Sequence, residues 1–268
     1  MDDFITFATM ISRNQIKFVQ SLRLKKNRDK HGVFIAEGEK IAAELIDGRQ
    51  QTELFFALPE WLEQNRDKIP THINCHPVSG KELERISNLK TPNKVLAVVK
   101  KSTPAISKEI FAGGLVLMLD KIQDPGNLGT ILRTADWFGV NHIICSPDTA
   151  DVYNPKTIQS SMGSFIRVQT YYTDLVSCID NLDKQHGLYG AFLSGSTLYD
   201  IRPSLPGVLV IGNESKGISE EVSARIQHKL MIPSGARDVQ NRAESLNAAM
   251  ATGIIVSWLT HGADDNAL

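Results

Sequence analysis

Leu115-Val-Leu-Met-Leu-Asp120 runs directly into Lys121-Ile-Gln-Asp-Pro-Gly-Asn-Leu-Gly-Thr-Ile-Leu-Arg133. Five consecutive apolar residues leave no polar face, the pattern of a strand covered on both sides as in a parallel sheet. The polar, glycine-containing turn behind it leads into a helix-spaced apolar segment, predicted here as a helix over 130–138. Strand, polar turn and helix make the repeating piece of a doubly wound α/β fold. Ligands of such folds sit beyond the carboxyl ends of the strands.

The same alternation continues toward the C-terminus. Strands are expected at 115–119, 142–145, 165–171, 188–193, 208–211 and 230–232. Helices are expected at 130–138, 155–162, 175–184, 220–227 and 245–260, the last apolar nearly all round and therefore buried. Toward the N-terminus, 100–114 mixes charge, Ser, Pro and paired Gly and reads as a linker. Before it, 11–24 reads as one amphipathic helix carried by Ile11, Ile16, Val19, Leu22 and Leu24. Strands at 33–36, 54–58, near Ile73 and at 95–99 alternate with helices at 39–46, 59–64 and 81–89. The expected fold class is α/β: a small N-terminal α/β domain over 1–104 and a doubly wound, mostly parallel sheet over 105–268.

Composition narrows the function classes. The 268 residues are 42% apolar and 22% charged, which is ordinary for a globular protein. The longest apolar runs fall far short of the ~20 residues that cross a membrane. The first residues, Met1-Asp-Asp3, show no basic-then-apolar leader. A cytoplasmic protein with no membrane partner is expected. Cys75, Cys145 and Cys178 match neither a disulfide framework nor a metal site and read as small reduced core residues.

The net charge of −1 conceals an asymmetry: 17 Lys and Arg against 13 Asp and Glu over 1–104, and 12 against 17 beyond. Arg13, Lys17, Arg23, Lys25, Lys26, Arg28 and Lys30 crowd one short stretch that holds the single acid Asp29. Such a stripe fits contact with a polyanion. On charge alone a solvated helix face explains it as well.

Three polar turns follow strands: 120–129, 211–217, and 232–235 with its continuation to 247. No G-x-G-x-x-G fingerprint is present. Gly212 and Gly217 have P-loop spacing, but Ile218 and Ser219 replace the Lys-Ser/Thr pair, and no G-x-S-x-G elbow occurs. No H-E-x-x-H or Cys/His cluster offers a metal site, so no metal is expected. Gly212 is read as leaving room for a ligand against the main chain. Ordinary tight turns account for any one of the three; the three together read as a site.

Those turns resemble the three signature motifs of the SpoU/TrmH-type RNA ribose methyltransferases of the SPOUT superfamily. The first is Asp124-Pro-Gly-Asn-Leu-Gly-Thr-Ile-Leu-Arg-Thr-Ala135, the second Val210-Ile-Gly-Asn-Glu-Ser-Lys-Gly-Ile218, and the third Ile232-Pro233 with Ser245-Leu-Asn-Ala-Ala249. Asn154-Pro-Lys156 and Ser161-Met-Gly163 resemble the family between the first two motifs. Phe34-Ile-Ala-Glu-Gly38 and Thr91-Pro-Asn-Lys-Val-Leu-Ala-Val-Val99 are similar to its attached substrate-binding domain. One departure is the longer link over 234–243, which carries Arg237, Asp238 and Arg242.

The resemblance implies a C-terminal trefoil knot, a homodimer through the C-terminal domain and S-adenosylmethionine as methyl donor. Main-chain groups of Gly212, Ile232 and Leu246, with Ile211 and Asn213 beside them, would contact the donor. Asn127, Arg133, Glu214, Ser245 and Asn247 would surround the methyl acceptor, a ribose 2′-hydroxyl of structured RNA, with ribosomal RNA favoured over transfer RNA. A guanidinium holds its proton and has no acceptor, so Arg133 is expected to stabilise developing alkoxide charge or grip a phosphate, with Glu214 orienting it or another donor. An internal ion pair of Arg133 with Glu214 is the alternative. Asn127 and Ser245 could each simply cap a helix. A non-catalytic RNA-binding protein on the same fold is the reading from another class.

Overall fold

The computed structural model describes residues 11–48, 50–235 and 243–261. The first elements are α1 (Arg13–Ser21), α2 (Lys25–His31), β1 (Val33–Glu37), α3 (Glu39–Ile46), β2 (Thr52–Ala57), α4 (Pro59–Asn65), β3 (Asn74–Pro77), α5 (Gly80–Ile86) and β4 (Val95–Lys100). They are followed by β5 (Leu115–Asp120), α6 (Pro125–Trp137), β6 (His142–Cys145), α7 (Pro155–Ser161), β7 (Gln169–Tyr172), α8 (Leu175–Asp180) and β8 (Gly187–Phe192). The remainder is β9 (Ser196–Thr197), β10 (Gly207–Gly212), α9 (Glu220–Ser223), β11 (His228–Met231) and α10 (Ala248–His261).

Two compact units result. One ends at Ser102 but also takes in Tyr153–Ile166; the other holds Thr103–Val152 and everything from Arg167. The sequence pattern places 153–166 in the second domain instead. Attachment of this segment to the first unit is aromatic: Phe34 of β1 packs on Tyr153 at 4.5 Å and edge-on to Phe165 at 5.6 Å between ring centroids. The Tyr153 hydroxyl donates to the Ser102 carbonyl at 2.7 Å.

The first unit carries a four-stranded sheet in the order β1-β4-β2-β3, with β4 antiparallel to both neighbours and β3 parallel to β2. Ile16 and Val19 of α1 bury against Ile35, Phe56 and Val98. A capping box between Ser12 and Gln15 opens α1, an arrangement worth about 1 kcal/mol. The helix expected over 11–24 ends early, at Ser21, and a separate helix starts at Lys25. Leu22 is buried, but Leu24 stands 54% exposed. Asn27 Nδ2 donates to the Ser21 carbonyl, and Arg28 Nη1 donates to the carbonyls of Leu22 and Arg23. These side chains occupy the carbonyls that a continuing helix would have used.

The second unit's seven strands are all parallel, in the order β7-β6-β5-β10-β8-β11-β9. From β5 the chain steps outward through β6 to β7. It then returns on the other side, and β10 inserts between β5 and β8. The carboxyl ends of β5 and β10 therefore mark the point where the winding reverses, the position of a ligand crevice in such sheets. Val116, Met118, Ile144, Val208 and Val210 fill the core of the sheet.

Three local expectations change. The strand expected over 165–171 is a 3-10 turn at Ser164–Ile166 followed by β7, because Phe165 and Ile166 are buried in a compact turn. Helix α6 starts at Pro125, five residues early, with the Asp124 side chain accepting from Asn127 N at 2.9 Å. Helix α10 buries Thr252, Ile255, Val256 and Leu259, yet Met250 is 61% exposed, so one face stays open.

Candidate active site

Motif one leaves β5 and motif two leaves β10, neighbours in register with Gly212 opposite Asp120. The α6 start puts Asn127 in the first helical turn, projecting from that edge. Its Nδ2 donates to Glu214 Oε1 at 2.5 Å, and its Oδ1 accepts from Asn247 Nδ2 at 2.9 Å. Asn247 Oδ1 in turn accepts from Ala249 N at 2.9 Å and Met250 N at 3.3 Å, closing the first turn of α10. One relay of amides thus joins all three motifs, and both donors and acceptors are used in sequence.

The alternatives for these residues resolve accordingly. Asp124, not Asn127, caps α6; Asn247, not Ser245, caps α10. The Asp124-Pro125 pair, an N-cap followed by proline at the first helical position, was the overlooked signal. Glu214 orients Asn127 rather than Arg133, and it forms no ion pair with that arginine. Arg133 lies six residues along α6 from Asn127, about 120° round the helix. Its side chain is exposed and enters no hydrogen bond or ion pair among the described residues. It shares its face with Trp137 one turn on, which is 83% exposed. Ser245 is exposed and makes no hydrogen bond among the described residues.

Beneath the relay, backbone geometry is tightly prescribed. A Cβ on Gly212 would meet Gly217 C and Ile218 N, each at 2.3 Å. The glycine makes room for the chain's own turn, not for a ligand as the sequence suggested. Asn213 and Gly217 exchange main-chain hydrogen bonds at 3.0 and 2.8 Å. Asn213 Oδ1 accepts from Ser215 N and Lys216 N, while its Nδ2 donates to the Lys121 carbonyl at 2.9 Å. Lys121 adopts a left-handed φ of 60°. Buried Asp120, unnoticed in the sequence, accepts from Ser219 N at 2.7 Å and anchors the far end of the turn. Asn213 is thus a structural clamp between motifs one and two. Ile211 is buried in the core near the carboxyl end of β10, opposite Leu119 of β5. Ile232 follows β11 at the same sheet edge, and Leu246, 48% exposed, directly precedes Asn247. The main-chain groups of Ile232 and Leu246 enter no backbone hydrogen bond among the described residues. Arg237, Asp238 and Arg242 lie outside those residues.

The basic stretch divides. Arg13, Lys17 and Lys26 are exposed, as is Arg23, whose Nη2 donates to the Ser87 carbonyl at 2.8 Å. Lys25 pairs with Asp29 at 2.7 Å, and Lys101 bonds the same carboxylate. Lys101 first and Lys25 second hold the Asp29 carboxyl below its ordinary range. Arg28, expected at the surface, is 1% exposed and is spent on the α1–α2 turn. Of the cysteines, Cys145 is buried and Cys178 half-buried, whereas Cys75 is exposed and is not the core residue expected; burial pushes the Cys145 and Cys178 thiols up, away from thiolate chemistry.

Residues 114–257, the whole span of the relay, match the SpoU rRNA Methylase family. The chain belongs to that family. As a SpoU methylase it is an RNA methyltransferase, and its residues 13–97 match the MRM3-like substrate binding domain. It is 31% identical to the 23S rRNA (guanosine(2553)-2'-O)-methyltransferase RlmP of Bacillus subtilis, over 92% of this chain and 97% of that protein. Among solved structures, a TrmH-family protein from Porphyromonas gingivalis has a TM-score of 0.82 at 37% identity, covering 93% of this chain and 98% of that one. An AdoMet-bound rRNA methyltransferase from Sinorhizobium meliloti has a TM-score of 0.82 at 26% identity, covering 96% and 97%. The resemblance read from the three motifs is borne out, as is the α/β class with its parallel sheet.

Proposed function

We propose that this SpoU methylase transfers the methyl group of S-adenosylmethionine to a ribose 2′-hydroxyl of structured RNA, ribosomal before transfer RNA. The observation that carries this reading is the hydrogen-bonded relay of Glu214, Asn127 and Asn247 where the sheet's winding reverses. The full-length likeness to a ribosomal 2′-O-methyltransferase supports it.

The residues present fit the donor. Main-chain groups at Ile232 and Leu246, without a backbone partner among the described residues, suit the hydrogen-bonding edge of adenine, and exposed Leu246 offers an apolar wall. The Glu214 carboxylate supplies negative charge for a sulfonium. Bound there, S-adenosylmethionine presents an electrophilic methyl group on a cationic sulfur. Transfer of that methyl group to the ribose oxygen would leave the sulfur as a neutral thioether, with the hydroxyl proton passing to solvent water. Asn127 and Asn247 fix the approach of the ribose. Alignment of this kind supplies up to ~7–11 kcal/mol in well-oriented reactions. Arg133, turned away from the Asn127 face of α6, is assigned to the alkoxide that develops at the junction between two paired copies.

In the same proposal the C-terminal segment is threaded into the trefoil knot, the protein works in the cytoplasm, and two copies pair through the C-terminal unit. Exposed Trp137 and Met250 on α6 and α10 supply the apolar contact for pairing, which places Arg133 at the junction. Trp137→Arg should give a monomer in sedimentation; an unchanged dimer overturns that part. Arg13, Lys17, Arg23 and Lys26 draw the RNA.

Labelled S-adenosylmethionine and total RNA from cells lacking the protein test the chemistry. Label should enter ribosomal RNA in a linkage resistant to alkali, since a methylated 2′-oxygen cannot attack the phosphate. Label in transfer RNA moves the substrate, label on a base refutes the acceptor, and RNA binding without transfer favours a mere binding protein.

A further inference from the structure

A cavity of about 420 Å³ lies within the first unit, between β1, the segment after α5 and helix α7. Its volume falls within the roughly 300–1,000 Å³ of small-ligand sites. Ile35, Leu89 and Ile158 give it apolar walls, and Arg23 stands at its lining with an exposed side chain. Two further lining residues are chemically unfinished. Glu37 is buried at 6% exposure; its oxygens accept from Ser87 Oγ at 2.5 Å and from Asn88 N at 2.8 Å. It has no cationic partner among the described residues, whereas buried carboxylates are ordinarily paired. A carboxylate accepts about four hydrogen bonds, so capacity remains. The Asn88 side chain has the opposite need: its Nδ2 is buried with no hydrogen-bond partner. The residue is only half-buried and itself lines the cavity, where an acceptor on a ligand would satisfy the amide once it turned about its Cβ–Cγ bond. Native buried donors without partners are rare enough to need an explanation.

We propose that this cavity holds one unpaired nucleotide of the RNA and reads a base that carries a carbonyl oxygen beside a ring N–H. The inference rests on the reading that the substrate is RNA. Guanine and uracil have that edge, with the carbonyl accepting from Asn88 Nδ2 and the imino N–H donating to Glu37. Adenine has the reverse order, an amino donor beside a ring acceptor. The apolar walls take the faces of the base, and Arg23 reaches the attached phosphate with the N–H groups not used on Ser87. Single bases splayed from RNA loops are commonly recognised in this way, stacked on their faces and bonded along one edge.

Fluorescently labelled U6 and A6 oligonucleotides, titrated into the full chain and followed by anisotropy, test the pocket. U6 should bind about ten-fold tighter than A6. Asn88→Ala, which keeps the main-chain bond to Glu37, should erase that preference while leaving A6 affinity and S-adenosylmethionine binding unchanged. Glu37→Gln should do the same, and should it fail to fold the alanine variant still decides. Equal binding of U6 and A6 by the unaltered protein, or a preference that survives Asn88→Ala, overturns the pocket. Methyl transfer measured on the same preparation keeps the two readings apart. Transfer without base preference sinks the pocket alone, and preference without transfer sinks the methylase reading alone.

Discussion

Asn127 donates its side-chain amide to Glu214 across 87 residues of sequence, at 2.5 Å. An ionised acceptor makes such a bond roughly twice as strong as a neutral one. The pair therefore sets the relative position of the turns after β5 and β10, where the reacting groups must meet.

Glu214→Gln keeps the shape and removes the charge. Stability should fall by about 1 kcal/mol, a shift of a few degrees in melting temperature for a unit of this size. Methyl transfer should fall about 10- to 100-fold, the equivalent of ~1.4–2.7 kcal/mol in the barrier. Initial rates and calorimetry separate the two. A rate per folded molecule equal to the unaltered protein would make the bond purely structural.

Gly212 and Gly217 should respond differently to alanine. At Gly212 the new methyl group collides with the backbone of Gly217 and Ile218 at 2.3 Å, so the turn must open and S-adenosylmethionine binding should be lost. Gly217 has a φ of +69° and open space around its Cβ position, so alanine there costs only conformational strain, about 1–2 kcal/mol. Calorimetric titration with the donor distinguishes them; equal affinity in both variants would contradict the turn's role.

Charge near the N-terminus should sort by burial. Arg28→Ala strips the carbonyls of Leu22 and Arg23 of a buried donor and should cost about 2–3 kcal/mol in thermal or urea unfolding. Lys17→Ala and Lys26→Ala should leave stability nearly unchanged. They should instead lower the slope of log affinity for RNA against log salt by about 0.7–0.9 for each phosphate no longer neutralised. A salt slope changed by Arg28→Ala alone would reverse the assignment.

His142 gives an acid-side signature. Burial holds its imidazole below the ordinary value of 6.5, and Nδ1 lies 3.1 Å from the Tyr171 hydroxyl. Below that value the unfolded chain takes up a proton that the folded chain still refuses. Folding stability is therefore full above pH ~6.5 and declines as pH falls toward the depressed folded value. Urea unfolding at several pH values should show this decline flattened in His142→Gln. An identical pH dependence in the variant would remove His142 as its source.

Much of this protein is written locally along the chain. Apolar runs such as Leu115 to Leu119 mark covered strands, and Asn, Gly and Pro mark the turns that end them. Three such turns in fixed order were enough to identify the family, since period and turn chemistry depend only on near neighbours. Side-chain partnership is not local in that sense. Asn127 meets Glu214 instead of Arg133 because Asp124 starts α6 early and so turns the arginine to another face. Arg28 looks like its surface neighbours in sequence, but carbonyls freed at a helix break draw it inside. Gly212 is read as making space for a ligand until the returning backbone of Gly217 is seen to occupy that space. Each outcome depends on which distant group reaches an atom first, and only the packed chain settles such competition.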